Sequence, residues 1–491
     1  MKKEKNNNGR ILNYILLALI VISTIMMIIF HNNITVSYIA TILMFLADII
    51  FCLKNLKKRT LLFLFLSCFF IFLMGRQTVE LIETRKVVYI FSKDISIHII
   101  RCLYISLLSV LIGFYFVEKY VKEYIGNVKD NIKLFNYSVS KEKIKMSLQK
   151  YSKIIFIIGF ALNIILIIEK VIYIQEHSYL EYYKSFTSAI PYIIRIIANI
   201  RTIAFFIFIA TLPSKKQSRI PIILYFLESI MMLFVGNRGN CIINVLILIY
   251  YIVFRQSLNK NEKWIKKSYI ITLCVAIPFI FAGLSLVVYI REKIPLDNFS
   301  FVGQVERFFK SIGNSVNIIG YGKLYEKELP RNTLYSFGDF IQYLKYNPIT
   351  SRIFGLNHLE YYTKEYAMSG ASFMHTISYF IEPEAYLNGH GYGSSYIAEL
   401  YSDFKYIGII LGNLFLGAYM AIFNKIYKKS YLLSACMLLS YNIMLFIPRA
   451  AFDYILTYVF NFTVILGVII IVGLTMCDIF IQKGKEKLLN E

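Results

Sequence analysis

Among the arginines inside or at the ends of apolar runs in this chain are Arg195, Arg201, Arg238, Arg291 and Arg449. A guanidinium keeps its charge and presents a planar fork of N–H donors that fits phosphate oxygens in pairs. Such a group is costly in hydrocarbon unless a partner or a polar cavity receives it, so function is the default reading. Further along the chain, His375, His390, Glu399, Asp403 and Asp453 are the available proton acceptors. Taken singly, each reads first as a solvated polar group and second as a general base. The arginines together suit a multiply charged anion with an apolar tail better than a neutral solute.

Arg238 is the sharpest case. It sits in 234-FVGNRGN-240, between the runs LYFLESIMMLFV and CIINVLILIYYIVF. Two flanking glycines allow a tight turn between antiparallel helices. A new helix starting at Gly239 or Asn240 would point its unpaired N–H groups and positive dipole end at an anion beside the guanidinium. An arginine snorkelling to lipid headgroups fits the same position equally well. In 190-IPYIIRIIANIRTIAFF, Arg195 and Arg201 fall roughly 9 and 18 Å along a helix that enters from the outer face. Glu228 lies at about the depth Arg201 reaches and is a candidate partner; a structural ion pair and a ligand role fit Arg201 equally well. Arg195, nearer the outer face, is the better ligand candidate.

The elements that must position these residues are membrane helices. The 491-residue chain is 57% hydrophobic and only 17% charged, with mean hydropathy +0.58. Its repeated apolar runs reach the roughly 20 residues that cross hydrocarbon as a helix. The expected spans are 11–30, 35–53, 60–75, 98–118, 153–174, 189–213, 220–235, 240–254, 269–290, 405–424, 431–448 and 454–476. The first is too long for a signal peptide, lacks a small-residue cleavage site and reads as a retained span. The fold class is therefore all-α, a polytopic bundle of about twelve helices.

Lysine and arginine set the orientation. The even-numbered connections (KNLKKR, 119–152, SKKQSR, RQSLNKNEKWIKK, NKIYKKS) and both ends of the sequence are basic, which puts them on the cytoplasmic side. An even number of spans places both termini together, as those charges require. This topology also accounts for the net charge of +23, which is spread over short connections and does not indicate a nucleic-acid partner. The seven cysteines form no CxxC and no Cys/His cluster. Neither a disulfide framework nor a metal site is expected, and no cofactor is implied.

The expected organisation is nine spans over 1–290, a large extracytoplasmic segment with amphipathic helices over 291–404, and three spans with a cytoplasmic tail over 405–491. A connection of that length normally carries function. Within 300-SFVGQVERFFKSIGNSVNIIGYG, Val302, Val305, Phe308, Phe309, Ile312 and Val316 recur near helical spacing. They predict a helix on the membrane surface or across the bundle mouth. In 389-GHGYGSSYIAELYSDFKYIG-408 a flexible turn precedes a helix over 395–404, with Glu399 and Asp403 one turn apart. Tyr361, Tyr362, Tyr366, Tyr386, Tyr392 and Tyr401 add rings that could stack on sugars or sit at a membrane interface.

FVGNRG at a span boundary, GxGxSSxxAELYxxFxxxG closing the external segment, and the late PRAAFDY together resemble the Wzy-type repeat-unit polymerases of O-antigen and capsule assembly. The resemblance covers about 190–475 and is best in GNRG and 391-GYGSSYIAELYSDFKYIG. It departs at Lys405-Tyr406, where a small residue is more common, and this bears on the helix geometry there. It implies a GT-C-like or O-antigen-ligase-like bundle. The implied substrates are oligosaccharide units on undecaprenyl pyrophosphate, joined at the outer face of the membrane by a metal-independent glycosyltransferase. Arg238, Arg291 and Arg449, with Arg195, are then assigned to the pyrophosphate. Glu399, or else His375 or His390, becomes the base. The implied surroundings are the lipid bilayer and the lipid-linked donor and acceptor, with room for flippase and chain-length-regulator proteins.

A lipid-linked oligosaccharide flippase or other secondary transporter would share the charge and the helices. It should have short loops on both sides and two related halves, and no internal repeat is evident. An O-antigen-type ligase is the nearer alternative. A transferase using polyprenyl-phosphate sugars would favour an acidic pair in the first external connection, and HNNIT has none.

Overall fold

The computed structural model describes residues 2–490 except 125–130, 135–136, 178–180, 183–184, 260–261, 293–299, 331–332, 347–349 and 357–358. Among the described residues, ten helices are long and apolar enough to cross a membrane: Ile11–Ile29, Ile34–Lys54, Leu56–Thr84, Lys93–Tyr120, Lys141–Glu176, Tyr192–Ala210, Lys215–Phe234, Arg238–Leu258, Tyr396–Ile426 and Phe462–Gly484. Each corresponds to an expected span. The other two expected spans, 269–290 and 431–448, correspond to the shorter apolar helices Val275–Leu286 and Tyr431–Met444. The protein is an all-α integral membrane protein. Its paired strands, Asn131–Leu134 and Tyr137–Ser140, run antiparallel.

One boundary moves. The run expected at 454–476 is divided into a short helix, Tyr454–Val459, and a long one that begins at Phe462. Asn461 is the cause: its Oδ1 accepts from Thr463 N at 3.0 Å and Thr463 Oγ1 at 2.8 Å. A side-chain acceptor at that place starts a new helix instead of continuing the old one.

The chain packs as two compact units. The first comprises 1–121, 265–422 and 444–457, and the second 122–264, 423–443 and 458–491. In the first unit, helices Lys93–Tyr120 and Tyr396–Ile426 touch backbone to backbone. A Cβ added at Gly113 would lie 2.1 Å from Leu414 O, and one at Gly417 would lie 2.1 Å from Val110 O. Only glycine permits such an approach, and in hydrocarbon close packing of this kind holds helices together. Arg59 reinforces the unit by gripping Glu118 through Nε at 2.9 Å and Nη2 at 2.6 Å, with its guanidinium 3.6 Å over the Phe51 ring.

The amphipathic stretch forms helix Phe301–Ile312, a 3-10 turn at Gly313–Val316 and helix Asn317–Leu324. Its apolar stripe faces protein, because Phe308 stacks on Phe281 at 4.6 Å and Phe309 meets Phe70 edge-on at 6.2 Å. Phe308, Ile312 and Val316 are buried, whereas Val302 is outside the stripe and exposed. Beyond it, Ile318, Leu329, Tyr335, Phe373 and Ile377 form a small core with Ala398. The long segment is therefore anchored to the first turn of helix Tyr396–Ile426. That helix is broken at Phe404 (φ −130°) and Lys405 (φ 55°), the place where the resemblance departs from a small residue.

In the second unit, helix Lys141–Glu176 packs along Tyr192–Ala210, and Lys215–Phe234 along Arg238–Leu258. Tyr225 stacks on Phe205 at 4.1 Å, and its hydroxyl donates to Asn244 Oδ1 at 2.9 Å. Asn442 Nδ2 donates to the same oxygen at 2.9 Å. These hydrogen bonds form where lipid could offer none.

Candidate active site and arginine sites

The chemistry-bearing acids lie together in the first unit. Residues 389–395 run without regular structure into helix Tyr396–Ile426, whose first turns carry Glu399 and Asp403. Glu399 is 1% exposed. Its Oε1 accepts from Ser394 Oγ at 2.5 Å, and its Oε2 accepts from Phe452 N at 2.8 Å. Next to Phe452, Asp453 is also 1% exposed; its Oδ2 accepts from Phe340 N at 2.7 Å. Its Oδ1 is buried without a hydrogen-bond partner. Asp403 accepts from Tyr335 N (2.9 Å), Ser336 N (2.7 Å) and Ser336 Oγ (2.6 Å). Each carboxylate thus holds the backbone of a different segment, and Glu399 ties 389-GHGYGSSYIAEL directly to PRAAFDY.

Electrostatics separates the acids. Burial first, then the neighbouring Asp339, raises the Asp453 carboxyl to about 7, and the bond from Phe340 N only partly offsets this. Burial also raises Asp339. An acid that changes charge near neutral pH is matched to general acid–base work. Sequence reasoning named Asp453 among the acceptors but did not favour it, and it passed over Asp339. Neither residue has a spacing signal, because 114 positions separate them and only folding brings Phe340 N to Asp453.

Neither Glu399 nor His375 is the solvated group expected of it. His375 is 6% exposed, packed among Tyr361, Tyr362, Tyr366 and Tyr386, and its Nδ1 is 3.0 Å from the Tyr386 hydroxyl. Desolvation lowers its pKa to about 4, so it stays neutral. His390 is exposed at the end of the turn after helix Pro383–Leu387. Arg449 closes a 3-10 turn, Ile447–Arg449, four positions before Asp453, and its side chain is exposed. Arg291 falls in helix Lys267–Glu292, and its side chain lies outside the described residues.

The remaining arginines belong to the second unit. Gly236 takes φ 80°, the left-handed geometry expected of the turn. Helix Arg238–Leu258 begins at Arg238 itself, one or two residues earlier than expected, because Asn237 is the cap and its Oδ1 accepts from Asn240 N at 3.2 Å. Arg238 is half-buried at that N-terminus. Arg195 has its guanidinium 5.4 Å from the Tyr192 ring centre, and its Nε is buried without a hydrogen-bond partner. Arg201 is engaged by its candidate partner: Nε and Nη2 donate to Glu228 Oε1 at 2.9 and 2.5 Å, with both residues buried. Removing one partner of a buried pair leaves an uncompensated charge, so Glu228→Ala should destabilise the protein by about 3–5 kcal/mol. Replacing both residues by apolar ones should cost much less. Thermal unfolding in detergent checks the pair, and equal losses would refute the ion-pair account.

A family model described as O-antigen polysaccharide polymerase Wzy matches residues 11–483. The chain belongs to this family. No curated protein and no solved structure matches it. As a member, the protein is a polymerase of O-antigen repeat units, acting on lipid-linked units in the membrane. Among the described residues of this polymerase, no group of three or more His, Cys, Asp or Glu side chains could hold a metal ion. Its six described cysteines are free thiols.

Proposed function

We propose that the polymerase joins undecaprenyl-pyrophosphate-linked oligosaccharides at the outer face of the cytoplasmic membrane, with both termini cytoplasmic and without a metal ion. The basic even-numbered connections support the orientation. In the reaction, a hydroxyl oxygen of the acceptor unit attacks the anomeric carbon of the donor glycan. The carbon–oxygen bond to the donor's pyrophosphate breaks, and the pyrophosphate takes the electron pair. A protein carboxylate takes the hydroxyl proton.

The observation that carries this reading is the bond from Phe452 N to Glu399. It fixes PRAAFDY, with Arg449 and Asp453, against the helix start that carries Glu399. A cation for a leaving pyrophosphate and a carboxylate for a proton are thereby held in one unit. We assign the base to Asp453. Glu399, with both oxygens engaged, orients the connection. His375, neutral and enclosed by tyrosines, serves better as the core of an aromatic surface for sugar rings, and His390 remains a second candidate acceptor. Arg449 and Arg291 in the first unit are assigned to the leaving pyrophosphate, where preorganised charge stabilises it; within the second unit, Arg238 and Arg195 are each a phosphate-binding candidate in their own right.

The test is the glycan length distribution of cells carrying wild type or Arg238→Ala at equal protein level, with the lipid-linked pool resolved by membrane side. Losing a charge-assisted contact removes about 1.5–3 kcal/mol. Long chains should therefore give way to single units outside, and Arg238→Lys should rescue poorly. An unchanged ladder would return Arg238 to headgroup anchoring, and units trapped inside would favour a flippase.

A further inference from the structure

Each joining step brings two lipid-linked pyrophosphates to the protein, and the arginines above account for the one that leaves. The other stays on the acceptor and also has to be held. A second cationic cluster, unused by the mechanism, lies in the first unit. Lys323, at the end of helix Asn317–Leu324, donates to Glu326 Oε2 at 2.5 Å and to the Tyr401 hydroxyl at 2.9 Å. Lys405 reaches Glu326 Oε1 at 2.7 Å. Both ammonium groups lie over Tyr401, 5.3 and 5.2 Å from the ring centre. Arg101 stands beside the Tyr406 hydroxyl, which also meets His98 Nδ1 at 2.9 Å. Two lysines thus share the carboxylate of Glu326, Asp403 lies near Lys405, and Arg101 adds a third cation at the Tyr406 hydroxyl, so cations outnumber carboxylates, which suits an anion carrying more than one charge.

The cluster is open to a ligand, since the side chains of Lys323 and Lys405 are 35% and 52% exposed. Its backbone gives a second, independent argument. Lys405 has φ 55° and ψ −145°, a region that glycine occupies at little cost and other residues do not. A long basic side chain is therefore kept where the fold alone would favour none. The position also fits the retained group. Lys405 follows the turns that carry Glu399 and Asp403, just past the break at Phe404, so the cluster adjoins the acids in the same unit.

We propose that Arg101, Lys323 and Lys405 bind the pyrophosphate that the acceptor lipid keeps, with Tyr401 as the floor of the site. This rests on the reading of the reaction given above. An anionic phospholipid headgroup offers the same phosphate chemistry, so the test has to separate the two.

Undecaprenyl pyrophosphate without glycan is the probe, and native mass spectrometry of the purified full chain in detergent counts the bound molecules. Wild type should bind two. Lys323→Gln/Lys405→Gly should bind one, with the other weakened at least tenfold. Because glycine suits the backbone at 405, the unfolding temperature should not fall, which separates lost binding from lost folding. A tenfold excess of phosphatidylglycerol should leave the second molecule bound. Two molecules bound to the lysine variant with wild-type affinity would overturn the proposal, as would displacement by phosphatidylglycerol. Arg449→Ala tests the leaving-group assignment separately. A variant that still binds both molecules counts against the arginine and leaves the lysine site standing.

Discussion

Asp453→Asn is expected to abolish chain growth and leave single lipid-linked units. Loss of a general base typically costs 10²–10⁴-fold in rate, estimated here at roughly the middle of that range. Asparagine keeps an oxygen for Phe340 N, so the connection should hold its place while the proton acceptor is lost. The pH profile makes the test specific. With its carboxyl raised to about 7, Asp453 is increasingly protonated below neutrality, so the wild-type rate should climb as pH rises through that value. The residual rate of Asp453→Asn should lack this limb.

Stability moves the other way. A folded-state pKa above the unfolded value of about 3.9 means that the folded protein binds the extra proton. Its stabilising contribution is complete below about pH 4 and is lost as pH rises through about 7. Asp453→Asn should therefore gain unfolding temperature relative to wild type at pH 8, while losing activity. A variant that polymerises normally with the wild-type pH profile would remove Asp453 from the mechanism. Glu399→Gln is the informative companion. Its loss should mainly loosen the PRAAFDY connection, lowering the unfolding temperature without shifting the pH limb.

Arg449→Ala carries the second large effect. A guanidinium that meets a leaving pyrophosphate acts where charge develops, and its removal is expected to cost on the order of 10²-fold in rate. The side chain is exposed, so the unfolding temperature should hardly change. Arg449→Lys restores the charge but not the paired N–H donors and should recover only a small part of the rate. Purified protein with lipid-linked units, read as product length against time, decides the matter. A rate within twofold of wild type for Arg449→Ala would place Arg449 outside the reaction.

Much of the fold was legible in the sequence because hydrocarbon imposes a uniform requirement on every span. A run of apolar residues long enough to cross needs no tertiary information to be recognised, and the apolar helices follow the expected positions. The shifted start at Phe462 shows where this fails. Hydropathy does not register a single Asn461 whose side chain ends one helix and caps the next. Locally encoded features were also readable. The glycine turn at Gly236 and the pairing of Arg201 with Glu228 follow from backbone freedom and from matched depth.

Family membership and the arginines at span ends came from short motifs, but the differing surroundings of the acids did not. Glu399, Asp403 and Asp453 look alike in sequence, as interchangeable external carboxylates. What distinguishes them is which distant backbone N–H each one meets and how far water is excluded, and only the folded chain fixes those quantities. Burial and the approach of Asp339 leave Asp453 as the acid poised near neutrality. Ser394 Oγ and Phe452 N engage both oxygens of Glu399, and four tyrosines enclose His375 in a neutral form. The sequence by itself determined a basic, polytopic helical polymerase with guanidinium groups at its span ends. Tertiary structure decided the burial and through-space charge around each carboxylate, because these depend on which distant segments meet, which sequence spacing does not encode.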